Sequence, residues 1–215
     1  MNSLTEWISG MSYRATDKTE ARKKSQHALL LSSAIKIVSI RGFQALTIAA
    51  VAEEANVATG TVYKYFESKA LLCTEVFRLG SEKEVHQVHL AAFPDSPKSC
   101  KERLLQAIQI FAERAIAGHK LAYALIGEPV DPLIEIERLI YRQSYADIFD
   151  TLIAEGIESG EFSPQDTRVT AAALVGTLSE TLIGPLGPTT PSTTKVKQIE
   201  LIKSIQQFCL RAIVV

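Results

Sequence analysis

The segment from Thr47 to Lys69 constrains the fold of this 215-residue chain most, because its pattern predicts two short helices joined by a tight turn. Thr47 precedes the first helix and is suited to cap it. Residues 56–58, Asn-Val-Ala, are the only ones left for the turn, and asparagine tolerates the left-handed conformation that a sharp turn needs. The first helix carries apolar residues at the spacing i, i+3, i+4 and i+7, which places them on one face. They are Ile48, Val51, Ala52 and Ala55.

The second helix of this segment turns apolar side chains inward and leaves a slim polar face outward. Val62 and Phe66 lie one turn apart, so the step of about 100° per residue aims Gly60, Thr61 and Lys64 outward. Slim side chains let a helix enter the major groove of DNA, where hydroxyl and methyl groups meet base edges. Glycine inside a helix costs about 1 kcal/mol relative to alanine, which makes sense where another backbone approaches closely. The pattern predicts a helix that reads DNA.

Two tyrosines and a lysine flank the same surface. Tyr63, Tyr65 and Lys69 supply hydroxyl and ammonium groups, which commonly bind DNA phosphates. A Tyr-x-Tyr-Phe run can also pack in a protein core. This alternative weighs most for Tyr65, because a partly buried ring between this helix and the next would look the same in sequence.

The run from Ala28 to Leu72 resembles the DNA-binding domain of the TetR/AcrR family of bacterial regulators, above all in the stretch VATGTVYKYFESK at residues 57–69. The resemblance implies an all-helical homodimer. Three N-terminal helices would bind DNA, and a variable C-terminal helical domain would take an effector and form the dimer. Most members of the family are repressors that a ligand releases from DNA.

Carried over position by position, the resemblance implies eight DNA-contacting residues. The family often has an arginine or another polar residue early in its second helix, where this chain has Ala49 and Ala50. Base reading is therefore expected to rest on the third helix. The phosphate contacts correspond to Thr47, Tyr63 and Lys69, the groove-facing positions to Thr59, Gly60 and Thr61, and positions near the DNA backbone to Lys64 and Tyr65.

Charge is divided unevenly along the chain. Residues 1–72 hold nine Lys or Arg against six Asp or Glu, and the remaining residues hold fourteen against eighteen. The first part therefore carries +3 and the rest −4, an asymmetry that the overall pI of about 6.4 conceals. It indicates a basic DNA-binding head on an acidic body, with an affinity for DNA that falls as salt rises. An imbalance this small also fits ordinary solvated surfaces.

Composition and helix breakers divide the chain into three parts. Residues 1–24 lack helical periodicity and end in the basic cluster Arg-Lys-Lys, so we predict a flexible basic arm that either follows DNA or is merely solvated. A helix-turn-helix DNA-binding domain is expected at residues 25–72, with its fourth helix continuing to about residue 92. Residues 93–215 are expected to form a helical ligand-binding and dimerisation domain.

Proline and glycine separate five helical runs in this last part, and no strand alternation is found, so the expected fold class is all-α. The two final runs are apolar enough to pair with those of a second copy and form a homodimer. Alternatively, the same faces close the core of a monomer. The expected helices cover residues 101–117, 120–127, 133–158, 165–184 and 193–213, and the last two are the candidate dimerisation pair.

The helix expected at residues 133–158 carries a stripe that mixes cations with aromatic rings. Two arginines four residues apart repel each other unless anions lie nearby. Glu135 and the loop with Glu128 and Asp131 are local anions, which would make the arginines part of a salt-bridge network. In the alternative, the stripe lines a cavity and receives an anionic or aromatic effector. The candidate effector-binding residues are Arg138, Tyr141, Arg142, Tyr145 and Phe149, with His119 and Tyr123 on the preceding helix.

Other classes of function find little support in the sequence. Nucleophile, phosphate-loop and paired-carboxylate motifs are absent, so neither catalysis nor a cofactor is expected. Cys73, Cys100 and Cys209 lack zinc-site spacing, so we expect reduced thiols and no metal. No signal peptide or membrane span is evident, so a cytoplasmic location is expected.

These observations favour a sequence-specific transcriptional regulator that is a homodimeric, ligand-released repressor. Its expected partners are a palindromic double-stranded operator, a second copy of the chain and a small-molecule effector. The main alternative is a helical protein that binds DNA without choosing a sequence and without an effector.

Overall fold

The computed structural model describes residues 4–188, 190 and 194–214, and side chains from residue 18 onward. The described part is helical throughout and contains no strand, which confirms the expected all-α class. A short 3-10 helix, Phe43–Ala45, follows the first α-helix. The α-helices are α1 (Leu4–Arg41), α2 (Ile48–Glu54), α3 (Thr59–Tyr63), α4 (Lys69–Ala92), α5 (Cys100–Ala117), α6 (His119–Ile126), α7 (Pro132–Glu158), α8 (Thr167–Leu186) and α9 (Lys195–Arg211).

Side-chain caps explain where several helices begin. Ser68 accepts a hydrogen bond from the backbone of Leu71 at the start of α4. Ser99 and Glu102 form a reciprocal capping box at the start of α5. These caps satisfy backbone N–H groups that have no partner inside the helix. Each of the five helices expected after residue 100 begins and ends within two residues of its expected bounds, and α8 continues through Pro185 to Leu186.

The N-terminal segment differs from expectation, because α1 begins at Leu4 and the predicted flexible arm is helical over residues 4–24. The end of that segment is rich in good helix formers, and Lys23 donates a 2.9 Å hydrogen bond to Glu20 one turn away. Local propensity therefore extends the helix although no apolar periodicity marks it. Residues 1–3 lie outside the described part.

Two apolar cores organise the molecule. The head, which we define as residues 25–72, has a core built around Leu30, Val38 and Val62. The body, which we define as residues 93–215, has a core built from α5, α7, α8 and α9, and Val88 and Ala92 at the end of α4 complete this core. Ala124 and Ile134 of the body belong to the core of the head, so the turn between α6 and α7 is packed against the head.

The last two helices divide their apolar residues between the core and the surface. Ile202, Ile205 and Cys209 are buried, as the alternative of a closed monomer core requires. Other apolar side chains on α8 and α9 stay exposed and remain available to a second copy. The exposed ones are Val169, Val196, Ile199 and Phe208.

Helix α8 is long and apolar enough to cross a membrane by length and composition, contrary to the expectation from sequence. Its residues Leu174, Leu178 and Leu182 are buried in the core of the body. A core helix of a soluble protein passes the same test of composition, so this helix is weak evidence for a membrane span.

Candidate nucleic-acid interface and ligand cavity

The turn between α2 and α3 has the geometry that the sequence predicts. Thr47 caps α2, with its side-chain oxygen 3.1 Å from the backbone nitrogen of Ala50. Asn56 takes the left-handed conformation at φ 52°. The backbone N–H of Val57 then donates to the carbonyl of Ala52 at 2.9 Å, which closes the end of α2. The turn fixes the angle between α2 and α3.

Helix α3 is anchored by buried residues and presents an open outer face. Val62 is fully buried and Phe66 is 1% exposed. Thr59 and Lys64 are exposed, and Thr61 is half-buried. A Cβ atom added to Gly60 would meet no atom within 4 Å, so the backbone of α3 is bare at this position.

Of the three residues that flank the outer face of α3, two are exposed and one is half-buried. Tyr63 is 57% exposed, and Lys69 is exposed at the start of α4. Tyr65 is half-buried, and its ring centroid lies 6.2 Å from that of His27 on α1. The side chain of Tyr65 therefore packs within the head and has a ring contact with α1. The candidate DNA-binding residues, which include the exposed Thr47, lie on the head from the start of α2 to the start of α4.

A cavity with an empty volume of about 750 Å³, including the part open to solvent, lies between α4, α5, α6, α7 and α8. Ring and aliphatic side chains form most of its wall, a composition typical of small-molecule sites. The carboxylate of Glu84 and the guanidinium of Arg114 also reach the cavity, where they form a bidentate ion pair with N–O distances of 2.5 and 2.8 Å. The apolar wall includes Phe77, Val88, Phe111, Leu121, Leu125 and Val175.

Arg138 lies on this wall and is also part of the internal framework. Its side chain is 9% exposed and pairs with Glu135 at 2.6 Å. It donates to the carbonyls of Leu125 at 2.9 Å and Glu128 at 2.7 Å. Burial lowers the pKa of Arg138, and the nearby charge of Arg142 acts in the same direction. Arg138 therefore belongs to a salt bridge and also lines the cavity, and its contact with an effector stays a prediction.

Arg142 also lines the cavity, one turn further along α7. Within the described part of the chain, no carboxylate lies within 4.0 Å of its guanidinium. Ser81 and Ser179 are 5% exposed and line the same space, and no hydrogen bond of either hydroxyl is found among the described residues. The guanidinium of Arg142 and the two hydroxyl groups thus line the cavity without a carboxylate or hydrogen-bond partner among the described residues.

Tyr141 and Tyr145 of α7 also line the cavity. Burial raises the pKa of Tyr141 to about 12, and the carboxylate of Glu82, which accepts a hydrogen bond from the phenol at 3.2 Å, adds to the effect. Burial, supported by the charge of Glu84, also raises the pKa of Tyr145. Both phenols are therefore neutral donors at physiological pH.

Three other candidate effector-binding residues do not line this cavity. Phe149 is fully buried in the core of the body, because the stripe on α7 turns away from the cavity after Tyr145. His119 borders a second indentation, beside Pro185. Tyr123 is partly buried against the core of the body.

Sequence reasoning missed several residues of the cavity. Glu84 and Arg114 stand 30 positions apart, so no local pattern relates them. Ser81 and Ser179 look like ordinary helix residues in sequence. Glu128 was considered only as a local anion, whereas its carboxylate accepts hydrogen bonds from Phe43 and Gln44 in the head.

An exposed helix-turn-helix on a helical body with an internal cavity defines a DNA-binding, ligand-responsive transcriptional regulator. A family model for bacterial regulatory proteins of the tetR family matches residues 30–76, and a model for the tetracyclin repressor-like C-terminal domain matches residues 97–183. The chain belongs to the TetR family.

Individual relatives share this architecture at low sequence identity. The fatty acid metabolism regulator protein of Bacillus subtilis is 24% identical over 164 residues, which are 75% of this chain and 84% of that protein. The structure of the fatty acid degradation regulator FadR from Bacillus halodurans superposes with a TM-score of 0.72 and 22% identity, over 86% of this chain and 94% of that one. The structure of FadR from Bacillus subtilis in complex with stearoyl-CoA superposes with a TM-score of 0.70 and 20% identity, over 85% of this chain and 96% of that one.

Proposed function

We propose that this protein is a homodimeric repressor that binds a palindromic operator and is released by an anionic ligand with a long apolar part. The exposed face of α3 supports the first half of this proposal. Two such helices, one from each copy, would enter major grooves separated by about 34–36 Å or a multiple of it. Thr59, Gly60 and Thr61 would meet the bases, and Tyr63 and Lys69 would bind phosphates.

The exposed apolar residues of α8 and α9 support the homodimer. Val169 is 65% exposed, Val196 is 64% exposed and Phe208 is 62% exposed. Exposed apolar side chains on adjoining helices favour burial against a matching surface, and a two-fold axis supplies such a surface from the same residues. Pairing through the body would also fix the distance between the two heads.

The composition of the cavity supports the class of effector. Its wall is mostly apolar, and Arg142 adds a positive charge that has no carboxylate partner in the described residues. A fatty acyl group would fill the apolar part, and the phosphates of coenzyme A would pair with a cation. The similarity to FadR of Bacillus subtilis, which was solved with stearoyl-CoA, points to the same class of ligand. We therefore propose a long-chain acyl-CoA as effector.

Release would follow from a shift between two arrangements of the dimer. A ligand shifts such an equilibrium only as far as it binds one arrangement better than the other. If the ligand favours the arrangement in which the heads are wrongly spaced for the operator, affinity for DNA falls. Coupling of this kind typically amounts to about 1–3 kcal/mol, or roughly 5–150-fold in affinity.

Selection of bound duplexes from a randomised DNA pool, at low and at moderate salt, tests the function directly. An operator reader enriches a palindrome that persists as salt rises, and the spacing of the half-sites reports the geometry of the dimer. Binding that selects no sequence and collapses as salt rises would favour the alternative of a non-specific DNA-binding protein. Mass spectrometry of the denatured sample would exclude a copurified ligand that holds the protein in its released state.

The role of Arg142 is tested by Arg142→Ala. We expect the variant to bind the selected operator as the parent does and to lose release by stearoyl-CoA, because the anion has lost its cation. Lys101→Ala removes an exposed cation of α5, outside the cavity and outside the proposed dimer surface, and is the matched control. If stearoyl-CoA released Arg142→Ala and the control from the operator at the same concentration, the proposed anion site would be contradicted.

A further inference from the structure

We propose that Glu128 transmits the state of the cavity to the head, a role that rests on the ligand response proposed above. This residue lies in the turn between α6 and α7 and is 6% exposed. Its carboxylate is bound to the head, and its backbone carbonyl is bound to Arg138 on the wall of the cavity. One buried residue thus joins the two functional parts.

The carboxylate of Glu128 holds the start of the 3-10 helix Phe43–Ala45. It accepts hydrogen bonds from the backbone N–H groups of Phe43 at 3.0 Å and Gln44 at 3.1 Å. The first N–H groups of a helix have no carbonyl partner inside it, so these two depend on an outside acceptor. The negative charge of the carboxylate strengthens both hydrogen bonds.

Gly42 makes room for this carboxylate. Its φ of 77° lies in the region that favours glycine, and a Cβ atom added there would lie 2.8 Å from a carboxylate oxygen of Glu128. The backbone of the head is therefore shaped to receive a side chain from the body. The contact joins residues 85 positions apart and lies in the interior.

The backbone of Glu128 is held from the side of the cavity. Arg138 donates to the carbonyl of Glu128 at 2.7 Å and to that of Leu125, near the end of α6, at 2.9 Å. A second route runs through aromatic rings. The guanidinium of Arg138 lies 5.9 Å from the ring centroid of Phe77, which stacks on Phe43 with centroids 6.0 Å apart. Phe77 also lines the cavity, so both routes lead from the cavity to Phe43.

The position of Phe43 matters for DNA because only Leu46 separates the 3-10 helix from Thr47, the cap of α2. An anion that draws Arg138 into the cavity would compete with the carbonyls for its N–H groups. Glu128 would then lose its support, and its carboxylate would loosen from the head. The start of α2, which carries one of the proposed phosphate contacts, would no longer be held in the orientation that fits DNA.

Hydrogen–deuterium exchange of the full-length protein tests the first step without any ligand. Glu128→Gln replaces one acceptor oxygen by an NH₂ group that cannot accept a hydrogen bond from the backbone. We expect the amides of residues 43–44 to exchange roughly tenfold faster or more, since hydrogen bonds to charged groups are the stronger ones. Unchanged exchange would overturn the proposal. If the glutamine variant does not fold, Glu128→Asp is measured in its place. Aspartate keeps the charge, but its shorter side chain moves the carboxylate away from the N–H groups of Phe43 and Gln44.

Glu161→Gln is the matched control. The carboxylate of Glu161 also accepts two backbone hydrogen bonds at the start of a helix, from Cys100 and Lys101 at 3.0 Å each, but both partners belong to the body. We expect this variant to speed exchange at residues 100–101 and to leave residues 43–44 unchanged. Faster exchange at residues 43–44 in this control would mean that the effect is general loosening, and would also overturn the proposal.

The link to the cavity is tested by Arg138→Lys, alone and together with Glu128→Gln. Lysine keeps the charge but cannot reach two carbonyls in the same fixed geometry. If Arg138 acts through Glu128, the lysine variant speeds exchange at residues 43–44 in the parent and adds little in the Glu128→Gln background. No effect in the parent, or an equal effect in both backgrounds, would contradict transmission through Glu128.

Stearoyl-CoA then tests whether a ligand uses this route. Native mass spectrometry of the same sample measures how much is bound. Bound stearoyl-CoA should speed exchange at residues 43–44 in the parent and have no further effect in Glu128→Gln. Bound ligand without a change in the parent overturns the proposed transmission. Absence of binding contradicts the proposed effector instead, and the ligand-free variants still decide the role of Glu128.

Discussion

The head and the body use glycine in opposite ways, and the difference reflects what each part binds. Gly60 on α3 faces open space, where an added Cβ atom would meet nothing within 4 Å. Gly156 on α7 lies against the buried ring of Phe162, and an added Cβ atom would lie 2.1 Å from that ring. The backbone of the head is bare at Gly60, as the proposed contact with DNA requires, whereas the body fills the space beside Gly156 with its own side chain.

This contrast extends to charge. On the head, the cations proposed to bind DNA, Lys64 and Lys69, are exposed. In the body, Arg138 is 9% exposed and Arg114 is half-buried, and both are paired with carboxylates. Exposed cations bind a polyanion through long-range attraction that salt screens, while buried cations act over short distances and depend on geometry.

The largest effect is expected for Gly156→Ala. The methyl group would clash with the ring of Phe162, which is 4% exposed and has no room to move. We expect the free energy of unfolding to fall by about 1–3 kcal/mol. For a chain of this length, each kcal/mol lowers the midpoint temperature of thermal unfolding by roughly 2–4 °C. Thermal unfolding followed by circular dichroism measures this change. An unfolding midpoint equal to that of the parent would show that the ring of Phe162 can shift to accommodate the methyl group, and would contradict this prediction.

A smaller effect of the opposite sign is expected for Gly60→Ala. Alanine favours the helix by up to about 1 kcal/mol, and the open space accepts its methyl group, so the free protein should become more stable. Affinity for the selected operator should nevertheless fall, because the methyl group occupies the approach to the DNA. Unfolding and DNA-binding measurements on the same preparation check both parts. Unchanged affinity would place the closest approach of DNA elsewhere on the head.

The smallest effect is expected for Lys69→Ala. Loss of one phosphate contact should lower affinity about equally for all sequences and reduce the slope of log affinity against log salt by about 0.9. The matched control is Lys83→Ala, an exposed lysine further along α4. Fluorescence anisotropy with a labelled duplex at several salt concentrations measures both slopes. Equal slopes for the two variants would remove Lys69 from the proposed DNA contacts.

The helix-turn-helix could be predicted in detail because its signals are local. Thr47 caps its helix, Asn56 takes the left-handed turn, and Val62 and Phe66 point inward, as their spacing indicates. The extent of α1 could not be predicted from apolar periodicity. Near the end of the predicted arm the helix is supported by the short-range pair between Lys23 and Glu20, which leaves no amphipathic pattern.

The sequence by itself determined the helices from α2 onward, the turn between α2 and α3, and the alignment of Arg138, Tyr141, Arg142 and Tyr145 on one face. Each of these features depends on residues within a few turns of one another. Only the tertiary structure decided that this face meets a cavity, that Phe149 leaves it for the core, and that Glu128 reaches Phe43. Such contacts join residues far apart in the chain, and the relative position of whole helices sets them. No local pattern encodes that position.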